Sequence, residues 1–140
     1  MLTEILGTEV LGKDGNVQVS EIAKNSIVCI YFSAHWCPPC RGFTPVLTEA
    51  YKGWKAAGKS VEVVFVSSDQ GPSEFSSYWG EMPWLAVPHG DPRVAACKSK
   101  FGVSGIPMLV VLKGDGTVVV QNGRTDVAND PNCVDKWCSM

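Results

Sequence analysis

Two cysteines separated by two prolines, Cys37-Pro38-Pro39-Cys40, stand shortly after the apolar run 27–32. Where a buried strand hands over to a helix, this spacing puts two sulfurs one turn apart on one helix face. A disulfide can then form and break there without rearrangement of the fold. Cys37 falls at the helix N-terminus, where unpaired amides and the positive end of the helix dipole favour thiolate over thiol. Cys40 lies one turn in and is more shielded. The chemistry this predicts is dithiol–disulfide exchange. Cys37 attacks a substrate disulfide, and Cys40 resolves the mixed disulfide by attacking Cys37. Trp36 is expected to cover one side of the sulfur and to offer protein substrates a flat apolar contact. Arg41 either steers acidic substrates or is a solvated helix charge.

A second signal is Gly105-Ile106-Pro107, just before the apolar run that starts at Met108. A proline entering a strand after a small-residue turn is a candidate cis peptide. Placed opposite Cys37, it keeps metals off the thiolates and leaves the Ile106 backbone free to pair with a substrate strand. These residue types also fit other uses. Cys37-x2-Cys40 with Cys133-x4-Cys138 is a conceivable four-thiolate zinc set, but the second spacing is unusual. A purely structural 37–40 disulfide closes too short a loop to restrict the unfolded chain much. His35 either lowers the Cys37 pKa when protonated or is an exposed loop histidine. His89 reads as solvated. Trp84 either lines a substrate surface or anchors its loop in the core, while Trp54, Trp79 and Trp137 read as packing.

The 140 residues fit one domain, 1–140, able to bury a core without staples. Hydrophobic residues at 45% and charged residues at 19% exclude a disordered segment. A net charge of -2 without a basic stripe argues against nucleic acid as a partner. No apolar run approaches the ~20 residues of a membrane span. The first residues lack a secretory pattern, so mostly reduced thiols are expected. Cys29, Cys97, Cys133 and Cys138 then take structural roles.

The elements that must position the motif follow from the pattern. Segments 9–11 and 17–19 flank an Asp-Gly hairpin signal, and 20–24 reads as a helical turn. The run 27–32 is a strand buried on both faces. A helix follows from Pro38 to about residue 57, kinked at Pro45. Strand 61–67, a helix from Pro72 to about Trp79, an ordered proline-rich loop at 81–88 and a helix at 92–101 come next. A second hairpin, 108–112 with 117–121, precedes a tail from about Asn129 that could add a helix or turn. The order implies an α/β fold, a central mixed β-sheet with helices on both faces and an N-terminal β-hairpin.

Ser33-Ala34-His35-Trp36-Cys37-Pro38-Pro39-Cys40-Arg41-Gly42-Phe43-Thr44-Pro45 resembles the tryparedoxin/nucleoredoxin branch of the thioredoxin-like proteins. The segment Glu81-Met82-Pro83-Trp84-Leu85-Ala86-Val87-Pro88 resembles a second signature of that branch, and Gly105-Ile106-Pro107 its cis-proline loop. Gly123-Arg124 resembles a basic position near the end of its last strand. The resemblance implies a thioredoxin fold and protein-disulfide reduction by a Cys37–Cys40 redox pair. It further implies a substrate surface built from Trp36, Pro38, Pro39, Arg41, Trp84, Ile106, Pro107 and Arg124. No bound cofactor is expected; electrons come from an external reductase or a low-molecular-weight dithiol. The partners implied are disulfide-bearing proteins such as peroxidases or signalling proteins, met by a monomer in the cytoplasm or nucleus. A redox-gated binding module with little turnover is the alternative.

Departures from the branch are also visible. Tyr31 stands six positions before Cys37, where thioredoxins proper carry a buried aspartate, which leaves a trapped water as the candidate to take the Cys40 proton. Ser68 and Ser104 replace a tryptophan and a glutamate of the tryparedoxins, and Met108 replaces a threonine. The changes at 68 and 104 weaken attraction for a cationic thiol cofactor.

Overall fold

The structure, a computed structural model, describes residues 2–130 and 132–140. One seven-stranded sheet runs through the molecule in the order β2 (Gly15–Gln18), β1 (Glu9–Gly12), β5 (Leu85–Ala86), β4 (Val61–Ser67), β3 (Ile27–Ser33), β6 (Met108–Lys113), β7 (Val118–Val120). Its centre is β3 (Ile27–Ser33), every residue of which is buried. β3 pairs parallel with β4 (Val61–Ser67) and antiparallel with β6 (Met108–Lys113). The parallel pair requires a crossover. α3 (Pro38–Ala56) supplies it, entering on Pro38 and Pro39, whose missing N–H groups cost nothing in the first turn. The helix continues through Pro45, and its buried residues Cys40, Phe43, Thr44, Leu47, Tyr51 and Trp54 keep the spacing of one helical face.

Alternation along β3 divides the core into two layers. Ile27, Cys29 and Tyr31 face α3, α4 (Pro72–Gly80) and α7 (Cys133–Cys138). Val28, Ile30 and Phe32 face α1 (Leu2–Leu6), α2 (Val19–Ile22) and α5 (Pro92–Lys100). Helices therefore cover both faces of a mixed sheet, as expected. The N-terminal hairpin is tighter than the 9–11/17–19 reading. β1 (Glu9–Gly12) and β2 (Gly15–Gln18) pair Gly12 with Gly15, so Lys13 and Asp14 make the turn and Gly15 takes φ +125°. Two elements escape the sequence pattern. α1 packs Leu2, Ile5 and Leu6 into the second layer. Within the proline-rich 81–88 segment, β5 (Leu85–Ala86) pairs parallel with β4 and antiparallel with β1, which ties the hairpin to the sheet. After β7 (Val118–Val120), the tail begins helical earlier than Asn129, with α6 (Arg124–Asn129).

Candidate active site

Cys37 is the N-cap residue of α3, extended at φ -94° and ψ 108°, and its amide donates to the Ala34 carbonyl at 3.2 Å. The tight loop 34–37 is fixed by Asp69, just beyond β4. Asp69 Oδ1 accepts the His35 amide at 2.8 Å, and Oδ2 accepts the Ser67 hydroxyl at 2.8 Å. His89 Nε2 lies 2.9 Å from the Asp69 carbonyl, and its ring tilts against Phe75. His89 is thus a loop fastener and not the solvated side chain its position suggested. His35 is also less exposed than expected, half-buried with its ring edge-on to Tyr78 at 5.7 Å.

The peptide bond Ile106–Pro107 is cis, and the Cys37 thiol donates to the Ile106 carbonyl at 3.8 Å. Cys37, Cys40 and Ala34 form a small apolar cluster against Ile106. Cys37 is 4% exposed, more covered than a freely open thiol, while Cys40 is wholly buried behind it. The order of accessibility is the one the sequence predicts, with a narrower window. Cys37 borders an open groove of about 560 Å³ shared with Trp36, Ser68, Lys98, Val103, Ser104, Gly105 and Ile106. Trp36 is 59% exposed, and its indole N–H donates to the Ser68 carbonyl at 3.1 Å. That bond holds the ring as a wall of the groove. Burial, reinforced by the adjacent Cys37 thiol, pushes the Cys40 thiol up to about 11, against the Ser33 hydroxyl and the Ala34 amide, which favour its thiolate.

Not every anticipated site residue meets the groove. Pro38 and Pro39 are exposed beside Cys37, and Pro107 is buried under Ile106. Trp84 is wholly buried, edge-on to Tyr31 and Tyr51 at 5.8 and 5.6 Å, and so cannot touch substrate. The strand alternation of β5 sends it and Ala86 into the first core layer. Arg124 opens α6 shortly after β7 ends at Val120. Its guanidinium lies 5.9 Å from the Phe43 ring, away from the groove lining. Arg41 borders a different cleft of about 370 Å³, with Thr44, Pro45, Thr48, Glu49, Tyr78 and Glu81.

Sequence reasoning also missed a buried chain of hydroxyls under Cys40. Ser33 Oγ lies 2.7 Å from Tyr78 Oη, which lies 2.5 Å from Thr44 Oγ1, which in turn lies 2.7 Å from Tyr31 Oη. Thr44 donates to the Cys40 carbonyl at 2.9 Å. The remaining thiols take structural positions. Cys29, Cys97 and Cys133 are buried, and burial holds each well above the ordinary thiol range, Cys97 at about 11 and Cys133 at about 12. Cys138 is exposed. Among the described residues no three His, Cys, Asp or Glu side chains converge as a metal set. No helix among them is long and apolar enough to cross a membrane.

The sequence model of a family described as thioredoxin-like matches residues 25–118. Nucleoredoxin from Bos taurus is 44% identical over 131 residues, which cover 93% of this chain and 30% of that protein. The chain thus spans between a fifth and a third of the length of the nucleoredoxin relatives it matches. Tryparedoxin from Trypanosoma brucei brucei is 44% identical over 128 residues, 89% of this chain and 87% of the relative. A solved structure of tryparedoxin from Trypanosoma brucei superposes with a TM-score of 0.87 at 41% identity, covering 94% of this chain and 92% of that one.

Proposed function

We propose that this chain, which belongs to the thioredoxin-like family, is a thiol–disulfide oxidoreductase that reduces protein disulfides through Cys37 and Cys40. One observation carries the assignment: a thiol at the rim of an open groove, beside a cis-proline loop, with a second thiol wholly buried one helical turn behind it. The Cys37 thiolate attacks one sulfur of a substrate disulfide, and the other sulfur leaves as thiolate with the bonding pair. Cys40, deprotonated, then attacks the Cys37 sulfur. The second substrate thiolate departs, and a Cys37–Cys40 disulfide remains. Two electrons from an external reductase or dithiol reset the pair.

Trp36 supplies an apolar platform for a polypeptide, and the Ile106 carbonyl, already an acceptor for the Cys37 thiol, orients the sulfur toward the groove. Lys98 is the charged side chain of the groove lining, which favours a neutral or anionic electron donor over a polyamine-bearing dithiol. Buried, unpaired thiols at 29, 97 and 133 suit a reducing compartment, cytosol or nucleus. Dithiothreitol-driven insulin reduction tests the assignment. Cys37→Ser abolishes turnover, and Cys40→Ser accumulates mixed disulfides at Cys37. Full turnover by the Cys37 variant would overturn it. The exposed Trp36 also suits a capture role, in which the dithiol form holds a partner and oxidation releases it. That reading predicts redox-dependent affinity without insulin turnover.

A further inference from the structure

The resolving step needs Cys40 as a thiolate, yet burial and the neighbouring thiol both hold its proton on. Cys40 is sealed from solvent, and Tyr31 occupies the face of β3 from which a buried base would reach it. What lies under the sulfur instead is the hydroxyl chain Ser33, Tyr78, Thr44. Ser33 continues the Tyr31 face of β3 by strand alternation, buried like Cys40, and its hydroxyl is near enough to the sulfur to favour the thiolate.

The direction of the chain follows from counting protons. Thr44 has one, and donates it to the Cys40 carbonyl. It therefore accepts from Tyr78, while the Tyr31 hydroxyl has Thr44 and the Cys40 carbonyl, at 3.5 Å, as acceptors. Tyr78, its proton turned toward Thr44, must accept from Ser33. Ser33, its proton turned toward Tyr78, is left with a lone pair for the Cys40 S–H. Thr44 and Tyr78 in turn border the 370 Å³ cleft that holds Glu49 and Glu81 at its walls, and that cleft shares no lining residue with the substrate groove.

We propose that Ser33, Tyr78 and Thr44 form a proton wire that carries the Cys40 proton to water in the Glu49/Glu81 cleft as Cys40 resolves the mixed disulfide. This rests on the redox assignment above. The step balances: Cys40 S–H passes its proton to Ser33 Oγ, Ser33 passes its own to Tyr78 Oη, Tyr78 passes its own to Thr44 Oγ1, and the Thr44 proton turns from the Cys40 carbonyl to a cleft water. The freed sulfur pair forms the Cys40–Cys37 bond, and the Cys37–substrate bond breaks with its pair on the departing sulfur. Ser33 then donates back to the sulfur, and the wire has reversed polarity. The same path runs backward when the disulfide is reduced.

Stopped-flow reaction with 5,5′-dithiobis(2-nitrobenzoate) separates the two half-steps, because each releases one coloured thiolate; a Cys138→Ser background removes the exposed competing thiol. Tyr78→Phe and Ser33→Ala are expected to leave the first phase, attack by Cys37, within about twofold of the parent. Both slow the second phase by about tenfold to a hundredfold near neutral pH and make it climb about tenfold per pH unit. Tyr51→Phe removes another buried phenol outside the wire, bonded to Glu62 at 2.8 Å, and leaves both phases intact. A second phase of parental rate and pH dependence in both folded variants overturns the wire. If neither variant folds, the parent decides in mixtures of light and heavy water: several protons in flight give a bowed dependence, and a linear one overturns the proposal. Loss of the second phase in the parent itself would instead remove the redox assignment.

Discussion

Raising the pH on the reduced protein should unfold it far more sharply than its few surface ion pairs would suggest. Cys29, Cys40, Cys97 and Cys133 are each 1% exposed or less. Each has its thiol pKa raised by burial: Cys40 and Cys97 to about 11, Cys133 to about 12, Cys29 higher still. In the unfolded chain these thiols ionise near their ordinary value of about 9. The sign follows from linkage. A thiol whose pKa is raised by folding stabilises the fold fully below about pH 9, and that stability is lost as pH climbs toward 11, because only the unfolded chain releases the proton. By pH 10 each group removes about 1.4 kcal/mol, so four remove about 5 kcal/mol relative to pH 8. That matches the lower end of a whole domain's stability. Burial likewise raises the phenols of Tyr31, Tyr51 and Tyr78, which steepens the loss above pH 10. Urea titrations followed by tryptophan fluorescence, under a phosphine reductant at half-unit steps from pH 7.5 to 10, measure it. Oxidation to the Cys37–Cys40 disulfide takes the Cys40 proton out of the balance, so that form should lose about a quarter less. A stability constant to within about 1 kcal/mol from pH 8 to pH 10 would refute the reasoning.

Three further substitutions separate site from scaffold. Trp36→Ala, at an exposed position, should leave stability within about 0.5 kcal/mol while lowering kcat/KM for insulin about fivefold or more; equal turnover on insulin would remove Trp36 from the substrate surface. Trp84→Ala should cost about 3–5 kcal/mol by chemical denaturation, and Trp84→Phe about 1 kcal/mol, because phenylalanine keeps much of the volume and deletes an indole N–H buried without a partner. Normal stability with reduced turnover in Trp84→Phe would return that residue to the site. Gly114→Ala should lower the melting temperature by about 4 °C or more, since the added methyl meets the Ala23 and Asn25 carbonyl oxygens; an unchanged melting curve contradicts that contact.

What could be read from sequence was whatever is local. β3 and β4 announce themselves as continuous apolar runs because both of their faces are covered. The dithiol and the cis-proline turn are each encoded within a handful of consecutive residues. β5 could not be seen, since two residues between prolines carry no period and become a strand only where β1 and β4 offer edges to pair with. Trp84 was ambiguous for the same reason: which way it points is set by the register of that two-residue strand. α1 has an apolar pattern of Leu2, Ile5 and Leu6, but a single turn gives too few repeats to read, and its helicity comes from packing on the second core layer.

The hydroxyl chain is the furthest from local. Positions 31, 33, 44 and 78 come from β3, α3 and α4, and nothing in their separate neighbourhoods marks them. Their meeting depends on two alternations coinciding. β3 must present Tyr31 and Ser33 on its α3 side, and α3 must present Thr44 on the face that also carries Cys40. Tyr78 then closes the gap from α4. The same geometry keeps substrate and proton apart. The groove at Cys37 is walled by Val103 and Ile106, which pack with the second core layer, whereas the cleft at Thr44 and Tyr78 opens over the first. A bulky protein partner seated on Trp36 therefore covers the entry of its own disulfide without covering the exit of the Cys40 proton. With the proposed wire, resolution would proceed while the partner is still in place. A base sharing the groove with the substrate would lose that separation, because every docked partner would also stop its exchange with solvent.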